Sequence, residues 1–254
     1  ELVHNFSLIH DDIEDNSALR RGRPTVWKIW GLAQGINAGD TMFTLAHMAV
    51  LRMEETSTLP NTLEAASILQ QTCLQLTQGQ YLDISYEDRQ DLTIKNYWPM
   101  VGGKTAALLA TCTKLGALVA DVDDHILQSY YQFGRNLGLA FQALDDFLGI
   151  WGDADKIGKS TASDLIEGKK SLPVLFGIEQ GGEFARRWTQ GPISPEEVPE
   201  VAAQLEAEGG REYTKQVADR YTQRALTALQ DAGPQGSAGE ALSELAHQLL
   251  KRRA

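Results

Sequence analysis

The chain has few cysteines, a deficit of basic residues and no long apolar run. Its two cysteines, Cys73 and Cys112, lie in separate apolar stretches and suggest neither a disulfide framework nor a zinc site, so a reducing cytoplasm is the expected location. The 23 Lys and Arg residues against 34 Asp and Glu residues give a formal net charge of -11. This charge disfavours nucleic acid and anionic membrane as the main partner. The best apolar run, 105–120, contains Lys114 and is shorter than the roughly 20 residues of a transmembrane helix.

Alternating strand patterns are also scarce, whereas helical periodicity recurs along the chain. Asn61 and Glu64 resemble a capping box before an apolar-periodic stretch that reaches Gln78. Asp123 caps a second pattern, which continues to Asp146. Further helices are predicted between 194 and 210, over 211–232 and over 239–253. The sequence therefore predicts an all-α fold.

A first acidic cluster, Asp11, Asp12 and Asp15, follows the apolar turn 6–9. Asp11 and Asp15 are one helical turn apart, so they project from one face and repel each other unless something neutralises them. Hard oxygen ligands in such an array suit magnesium, which keeps several waters and shares its other positions with substrate phosphates. The alternative interpretation is a solvated, acidic helix end.

A second acidic cluster, Asp145 and Asp146, also ends an apolar helical run. Gly149 occupies the position at which a third acid would repeat the spacing of the first cluster. Two acidic clusters that each follow an apolar helical turn favour metal binding over two unrelated solvated helix ends.

Basic residues follow both clusters: Arg20 and Arg21 come after the first, and Lys159, Lys169 and Lys170 after the second. Arginine offers forked donors to phosphate, and lysine offers a mobile point charge. In an acidic protein, this pattern suggests a shared ligand rich in anionic oxygens. The alternative is that these residues form ordinary surface salt bridges.

Together, these segments resemble the trans-type polyprenyl diphosphate synthases, the family that contains farnesyl and geranylgeranyl diphosphate synthases. The resemblance runs from Glu1 to the region of Gln180, and the C-terminal helices add no specific motif. The matching segments are Leu8–Asp15, Arg20–Pro24, Gly79–Asp83, Lys104–Thr105, Phe141–Asp146, Gly158–Lys159, Ser163–Leu165 and Gly168–Pro173.

The fold that this resemblance implies is a single-domain helical bundle of the isoprenoid synthase type, with the active site in a central cavity between helices. Residues 1–6 already read as the middle of a helix, without a cap or a starting methionine. We therefore expect residues 1–254 to be a polyprenyl synthetase domain that lacks its N-terminal helices. The family's upstream lysine and arginine, which bind isopentenyl diphosphate, are not among these residues. The resemblance also implies a homodimer.

The implied activity is a chain-elongating prenyltransferase, which condenses isopentenyl diphosphate with an allylic prenyl diphosphate. Three Mg²⁺ ions would be held by Asp11, Asp15 and Asp145, with Asp12 and Asp146 ligating or supporting them. Because Gly149 replaces the third aspartate of the family's second motif, weakened or altered metal binding is expected. Two alternatives remain open: a class I terpene cyclase, or a non-catalytic partner subunit of a prenyl diphosphate synthase.

The resemblance assigns substrate roles to residues outside the acidic clusters. The catalytic residues it implies are Lys104, Thr105, Gln142 and Lys159. The substrate-binding residues it implies are Arg20, Arg21, Lys104, Thr105, Gln142, Lys159 and Lys169. In the family, large residues that lie four or five positions before the first aspartate form the floor of the product pocket. Here these positions are Ser7 and Phe6. One bulky residue, with no insertion in the first motif, predicts geranylgeranyl diphosphate as the product, with farnesyl diphosphate next.

Overall fold

The computed structural model describes residues 1–152 and 163–250, and the prediction of an all-α fold is confirmed over them. The chain divides into two compact units, Glu1–Cys73 and Leu74–Ala254. Among these described residues, no helix combines the length and the apolar character that crossing a membrane requires.

The first unit is built on two long helices and a short one. They are α1 (Leu2–Glu14), α2 (Val26–Trp30) and α3 (Leu32–Leu51), and a 3-10 turn follows at Arg52–Glu55. Helix α1 packs along α3, and the two approach closely at Gly39, where any side chain would overlap the His10 ring. His10 is therefore a packing residue of this helix pair.

A short hairpin between α1 and α2 was not expected from the sequence. Strands β1 (Leu19–Arg20) and β2 (Arg23–Pro24) pair antiparallel, with Arg20 opposite Arg23. Arg21 and Gly22 form the two-residue turn, with φ angles of 52° and 74°. Positive φ at both positions is the mark of a type I′ turn, which suits the twist of a hairpin. Two-residue strands are too short to produce the alternation that reveals strands in a sequence.

The second unit is organised around one long helix. Its elements are the end of α4 (Leu59–Tyr86), α5 (Ile94–Val101), a π-helical turn (Gly102–Ala106), α6 (Ala107–Val119), α7 (Asp124–Trp151), α8 (Ser163–Ile166), α9 (Leu172–Gln180), α10 (Glu183–Trp188), α11 (Val198–Ala207), α12 (Gly210–Ala232) and α13 (Gly236–Leu250). Helix α7 packs against α6 and α12 and carries many of the buried side chains. The Asp123 carboxylate accepts the Ile126 N–H at 3.0 Å, so the predicted cap of α7 is confirmed.

Two predicted helix starts are wrong by a few residues. Helix α4 begins at Leu59, and Asn61 lies in its first turn, where its N–H donates to the Thr58 hydroxyl at 3.3 Å. Helix α11 begins at Val198, later than expected. Residues before it are held in a loop because the Glu197 carboxylate accepts both the Ser194 N–H and the Arg187 guanidinium.

Candidate active site

The first acidic cluster lies at the C-terminal end of α1. Asp11 is half-buried, Asp12 is buried, and Asp15 is the exposed residue that follows the helix. The Asp15 N–H donates to the Asp11 carbonyl at 2.9 Å, which keeps the two acids one turn apart. Negative side chains at the negative end of a helix dipole are unfavourable, so this arrangement needs a compensating cation.

Arg20 supplies such a cation from the hairpin. Its Nε donates to Asp12 Oδ1 at 2.7 Å, and a terminal nitrogen donates to Asp11 Oδ2 at 2.8 Å. Partial burial acts to lower the pKa of Arg20, but the hydrogen bonds and charges of Asp12 and Asp11 outweigh it and raise this pKa. The guanidinium therefore bridges two neighbouring carboxylates. Arg21, at the tip of the turn, is exposed.

The residues predicted to set product length lie on α1, four and five positions before Asp11, which is just over one helical turn. Phe6 is 8% exposed and packs edge-on against Phe43 of α3, with ring centroids 5.0 Å apart. The Ser7 hydroxyl donates to the His4 carbonyl at 2.8 Å, so it is satisfied within its own helix. Phe6 thus contributes to the packing of α1 against α3.

Lys104 lies on the π-helical turn, against α4. A side chain at Gly79 of α4 would overlap the Lys104 backbone nitrogen, so this contact requires glycine. The close approach places the Lys104 Nζ 2.5 Å from Asp83 Oδ2, with both side chains about a third exposed. π-Turns inside helices frequently occur at functional sites. The Lys104 ammonium group on this turn is thus paired with Asp83 and partly exposed to solvent.

The next residue, Thr105, starts a chain of hydrogen bonds into the core. Its hydroxyl donates to Gln142 Oε1 at 2.8 Å, and Gln142 Nε2 donates to Asp146 Oδ1 at 2.9 Å. The other Asp146 oxygen accepts the Tyr97 hydroxyl and the Leu172 N–H, each at 2.8 Å. Three donors thus hold one carboxylate, and their geometry fixes the orientation of the Gln142 amide.

Asp146 is 2% exposed, and its burial raises its pKa. The Leu172 N–H, the charge of Lys169 and the Gln142 and Tyr97 donors act in the opposite direction, because they favour the ionised form. Burial also raises the pKa of Tyr97, and the neighbouring Asp146 charge adds to this effect. Both Asp146 oxygens accept hydrogen bonds from the protein, which suits the supporting role better than the ligating one.

Asp145 is half-buried on the same turn of α7. Lys169 lies close enough to this cluster for its charge to act on the pKa of Asp146, which it lowers. Desolvation acts to lower the pKa of Lys169, but attraction from Asp164, Asp146 and Asp145 outweighs it and raises this pKa. Lys159, the other predicted lysine, lies outside the described residues.

Magnesium fits the donors that are present. Over residues 1–152 and 163–250, no group of three or more His, Cys, Asp or Glu side chains is gathered tightly enough to form a metal cage. Mg²⁺ does not require such a cage, because it usually binds one or two carboxylates together with waters and substrate phosphates. Asp11, Asp15 and Asp145 are hard oxygen donors of this kind.

Three contributors to the second-unit site carry no assigned role in the sequence interpretation: Asp83, Tyr97 and Asp164. Asp83 and Tyr97 lie 21 and 49 positions from the residues that they contact, so helical spacing gives no signal for these pairings. Asp83 and Asp164 do lie in the matching segments Gly79–Asp83 and Ser163–Leu165, which was the available signal. For Tyr97, the only local indication is that it precedes Lys104 by about two helical turns.

Comparisons with known proteins support the same family. A model of the polyprenyl synthetase family matches residues 1–205. A farnesyl diphosphate synthase of Mycobacterium bovis is 37% identical over 262 aligned positions, which cover 100% of this chain and 72% of the relative. A geranylgeranyl diphosphate synthase of Mycobacterium tuberculosis is 39% identical over 237 positions, covering 91% of this chain and 67% of the relative. The structure of a geranylgeranyl pyrophosphate synthetase from Pyrococcus horikoshii superimposes with a TM-score of 0.91 at 32% identity, covering 99% of this chain and 77% of that one.

The helical fold and these relatives define the protein as a prenyltransferase. The chain belongs to the polyprenyl synthetase family.

Proposed function

We propose that this protein condenses isopentenyl diphosphate with an allylic prenyl diphosphate in a Mg²⁺-dependent chain elongation. The observation that carries the proposal is the pairing of Lys104 and Thr105 on one π-helical turn. Lys104 offers a cation for a diphosphate, while Thr105 and Gln142 offer oxygen dipoles that are held by the buried Asp146. A departing anion and a developing carbocation need these two kinds of group side by side.

The reaction breaks the allylic C–O bond, and the diphosphate leaves with the electron pair. Lys104, Arg20 and Lys159 stabilise the charge that builds on the diphosphate, while oxygen atoms of Thr105 and Gln142 face the allylic cation. The double bond of isopentenyl diphosphate, which Arg21 helps to hold, then forms the new C–C bond. A proton is finally lost to the released diphosphate. Mg²⁺, held through Asp11, Asp15 and Asp145 as three ions, would neutralise the diphosphate as a Lewis acid.

The proposed product is geranylgeranyl diphosphate, with farnesyl diphosphate as the next candidate. Relatives named for each of these two products match this chain at similar identity, so identity does not choose between them. The support comes from Phe6, the bulky one of the two residues at the floor positions, which is buried against Phe43. Replacing Phe6 with alanine should therefore open the floor and lengthen the product. An unchanged product distribution would show that Phe6 is ordinary packing.

The family resemblance also supports a homodimer that works in the cytoplasm. Light scattering on the full-length protein should give twice the monomer mass. A monomer that elongates normally would contradict this part of the proposal.

Product identification tests the reaction itself. The full-length protein is incubated with isopentenyl diphosphate, Mg²⁺ and, in turn, allylic primers of five, ten and fifteen carbons. The expected result is elongation of each primer to a twenty-carbon diphosphate. No elongation with any primer would refute the proposal, and a cyclised hydrocarbon would indicate a terpene cyclase. Activity that requires a second synthase would indicate a partner subunit.

A further inference from the structure

Two arginines of α12 lie over one tyrosine ring on the second unit. The guanidinium carbons of Arg220 and Arg224 are 5.6 Å and 5.4 Å from the centre of the Tyr221 ring. Tyr221 in turn packs against Trp98 of α5, with ring centroids 5.3 Å apart. We call these four residues the arginine patch. A cation within about 6 Å of an aromatic ring is attracted to its face, so the tyrosine helps to hold both arginines in place.

The aromatic base of this patch is anchored in the core of the unit. Trp98 and Tyr221 are partly buried, and both pack against the buried cluster that contains Tyr97 and Val217. The Trp98 ring also meets the Tyr97 ring edge-on, with centroids 5.1 Å apart. Aromatic side chains that are fixed in this way lose little conformational freedom when a partner binds, which favours affinity.

The two arginines, by contrast, are exposed to solvent. Over the described part of the chain, neither Arg220 nor Arg224 forms an ion pair or a hydrogen bond through its side chain. Arg211, on the same helix, shows the commoner arrangement, because its guanidinium binds the Glu206 carboxylate at 2.8 Å. In a protein with 34 acidic and 23 basic residues, two such arginines one helical turn apart form a local positive site. Their N–H groups remain available for an external anion.

The chemistry of the patch indicates the kind of partner that it fits. Guanidinium N–H groups lie in one plane and match a carboxylate with two parallel hydrogen bonds. Arginine, tyrosine and tryptophan are also the residues that most often dominate the binding energy of protein interfaces. A small molecule would need a concave site that encloses most of its surface, whereas these arginines are exposed on a helix.

We propose that the arginine patch binds an acidic segment of a partner protein. The carboxylates of this segment bind Arg220 and Arg224, and one of its apolar side chains packs against Trp98. None of the four patch residues has a role in the proposed reaction, so binding at the patch can be measured separately from turnover.

A peptide array tests the chemistry of the proposed partner. The full-length protein is applied to short peptides that combine several Asp or Glu residues with one aromatic residue, and to the same peptides with Asn or Gln in place of the acids. We expect binding to members of the acidic set and none to their amide counterparts. Because the contacts are ion pairs at the surface, this binding should weaken as ionic strength rises.

Paired variants locate the binding site on the protein. Fluorescence anisotropy with the tightest acidic peptide compares wild type with Arg220→Gln/Arg224→Gln, whose affinity should fall about tenfold or more, as for arginines that dominate an interface. The matched control is Arg211→Gln/Lys215→Gln, which removes the same charge from the same helix and should bind as wild type does. Arg220→Lys/Arg224→Lys keeps the charge without the fork, so its affinity should lie in between. Melting temperatures show that each variant is folded.

Equal binding of acidic and amide peptides would overturn the proposal, and so would equal losses of affinity in Arg220→Gln/Arg224→Gln and its control. Binding of phosphatidylserine vesicles through the patch, without binding of acidic peptides, would overturn it in favour of a membrane surface. A lower molecular mass in light scattering when only Arg220 and Arg224 are replaced would overturn it in favour of a second copy of this chain.

Discussion

Removing the Tyr97 hydroxyl tests whether the buried Asp146 carboxylate organises the second-unit site. Tyr97→Phe leaves the ring in place but withdraws one of three donors from a carboxylate that is 2% exposed. A hydrogen bond to a charged group contributes about 1.5–3 kcal/mol. For a protein of this size, about 1 kcal/mol corresponds to roughly 2–4 °C in melting temperature, so a loss of about 3–12 °C is expected.

The loss should depend on pH in a definite direction. The Tyr97 donor favours ionised Asp146 and so acts to lower its pKa, against the burial that raises it. The stabilisation that Tyr97 provides is therefore present when Asp146 is ionised, and it is lost as pH falls through the folded-state pKa. The difference in melting temperature between wild type and Tyr97→Phe should accordingly be largest near pH 8 and shrink towards pH 4.

A matched control is available in the same unit. Tyr86 is also buried, but its hydroxyl donates to the neutral Asn96 carbonyl at 3.3 Å. Tyr86→Phe should cost about 0.5–1.5 kcal/mol, with little dependence on pH over this range. Differential scanning calorimetry at several pH values measures both variants. A Tyr97→Phe variant that melts with wild type near pH 8, or whose deficit does not change with pH, would refute the reasoning.

Three further outcomes are expected. In metal-free buffer, the folded state holds the Asp164 proton more tightly than the unfolded state does, because the pKa of Asp164 is raised to about 6. Ionised Asp164 therefore costs stability as pH rises from about 4 to 6, and the stability of Asp164→Asn relative to wild type should increase over this range by up to about 3 kcal/mol in urea titrations. Gly79→Ala should destabilise the protein and abolish elongation, because the added methyl overlaps the Lys104 backbone, whereas Gly102→Ala, in open space, should melt near wild type. Arg20→Lys keeps the positive charge, but an ammonium group lacks the forked geometry with which the guanidinium binds both Asp11 and Asp12. The Km for the allylic diphosphate should therefore rise about tenfold in steady-state assays. An unchanged Km would show that binding of both carboxylates by Arg20 is not needed.

The helical fold and the two acidic clusters could be predicted because their signals are local. Periodicity identifies helices, and the Asp123 cap lies within three residues of the N–H that it accepts. Spacing also places Asp11 and Asp15 one turn apart. Such features require no knowledge of which segments meet in space.

The supporting contacts could not be predicted, because they join distant segments. Tyr97 and Asp146 are 49 positions apart, and Lys104 and Asp83 are 21 apart. Gly149 is the clearest case. In the sequence, Gly149 occupies the position of an absent third acid. The packing of α8 on α7 shows that the Asp164 carboxyl group fills the space that a side chain at position 149 would need.

Transfer of label from isopentenyl diphosphate into a prenyl product tests the proposed elongation directly. Full-length wild type, Lys104→Ala and Lys114→Ala are compared with a fifteen-carbon primer and Mg²⁺, Lys114 being a lysine on α6 with no assigned role. We expect a labelled twenty-carbon diphosphate from wild type and Lys114→Ala. Lys104→Ala should form it at a rate at least about 100-fold lower, in line with the loss of one preorganised electrostatic group. Elongation by Lys104→Ala at the wild-type rate, or no labelled prenyl product from wild type, would contradict it.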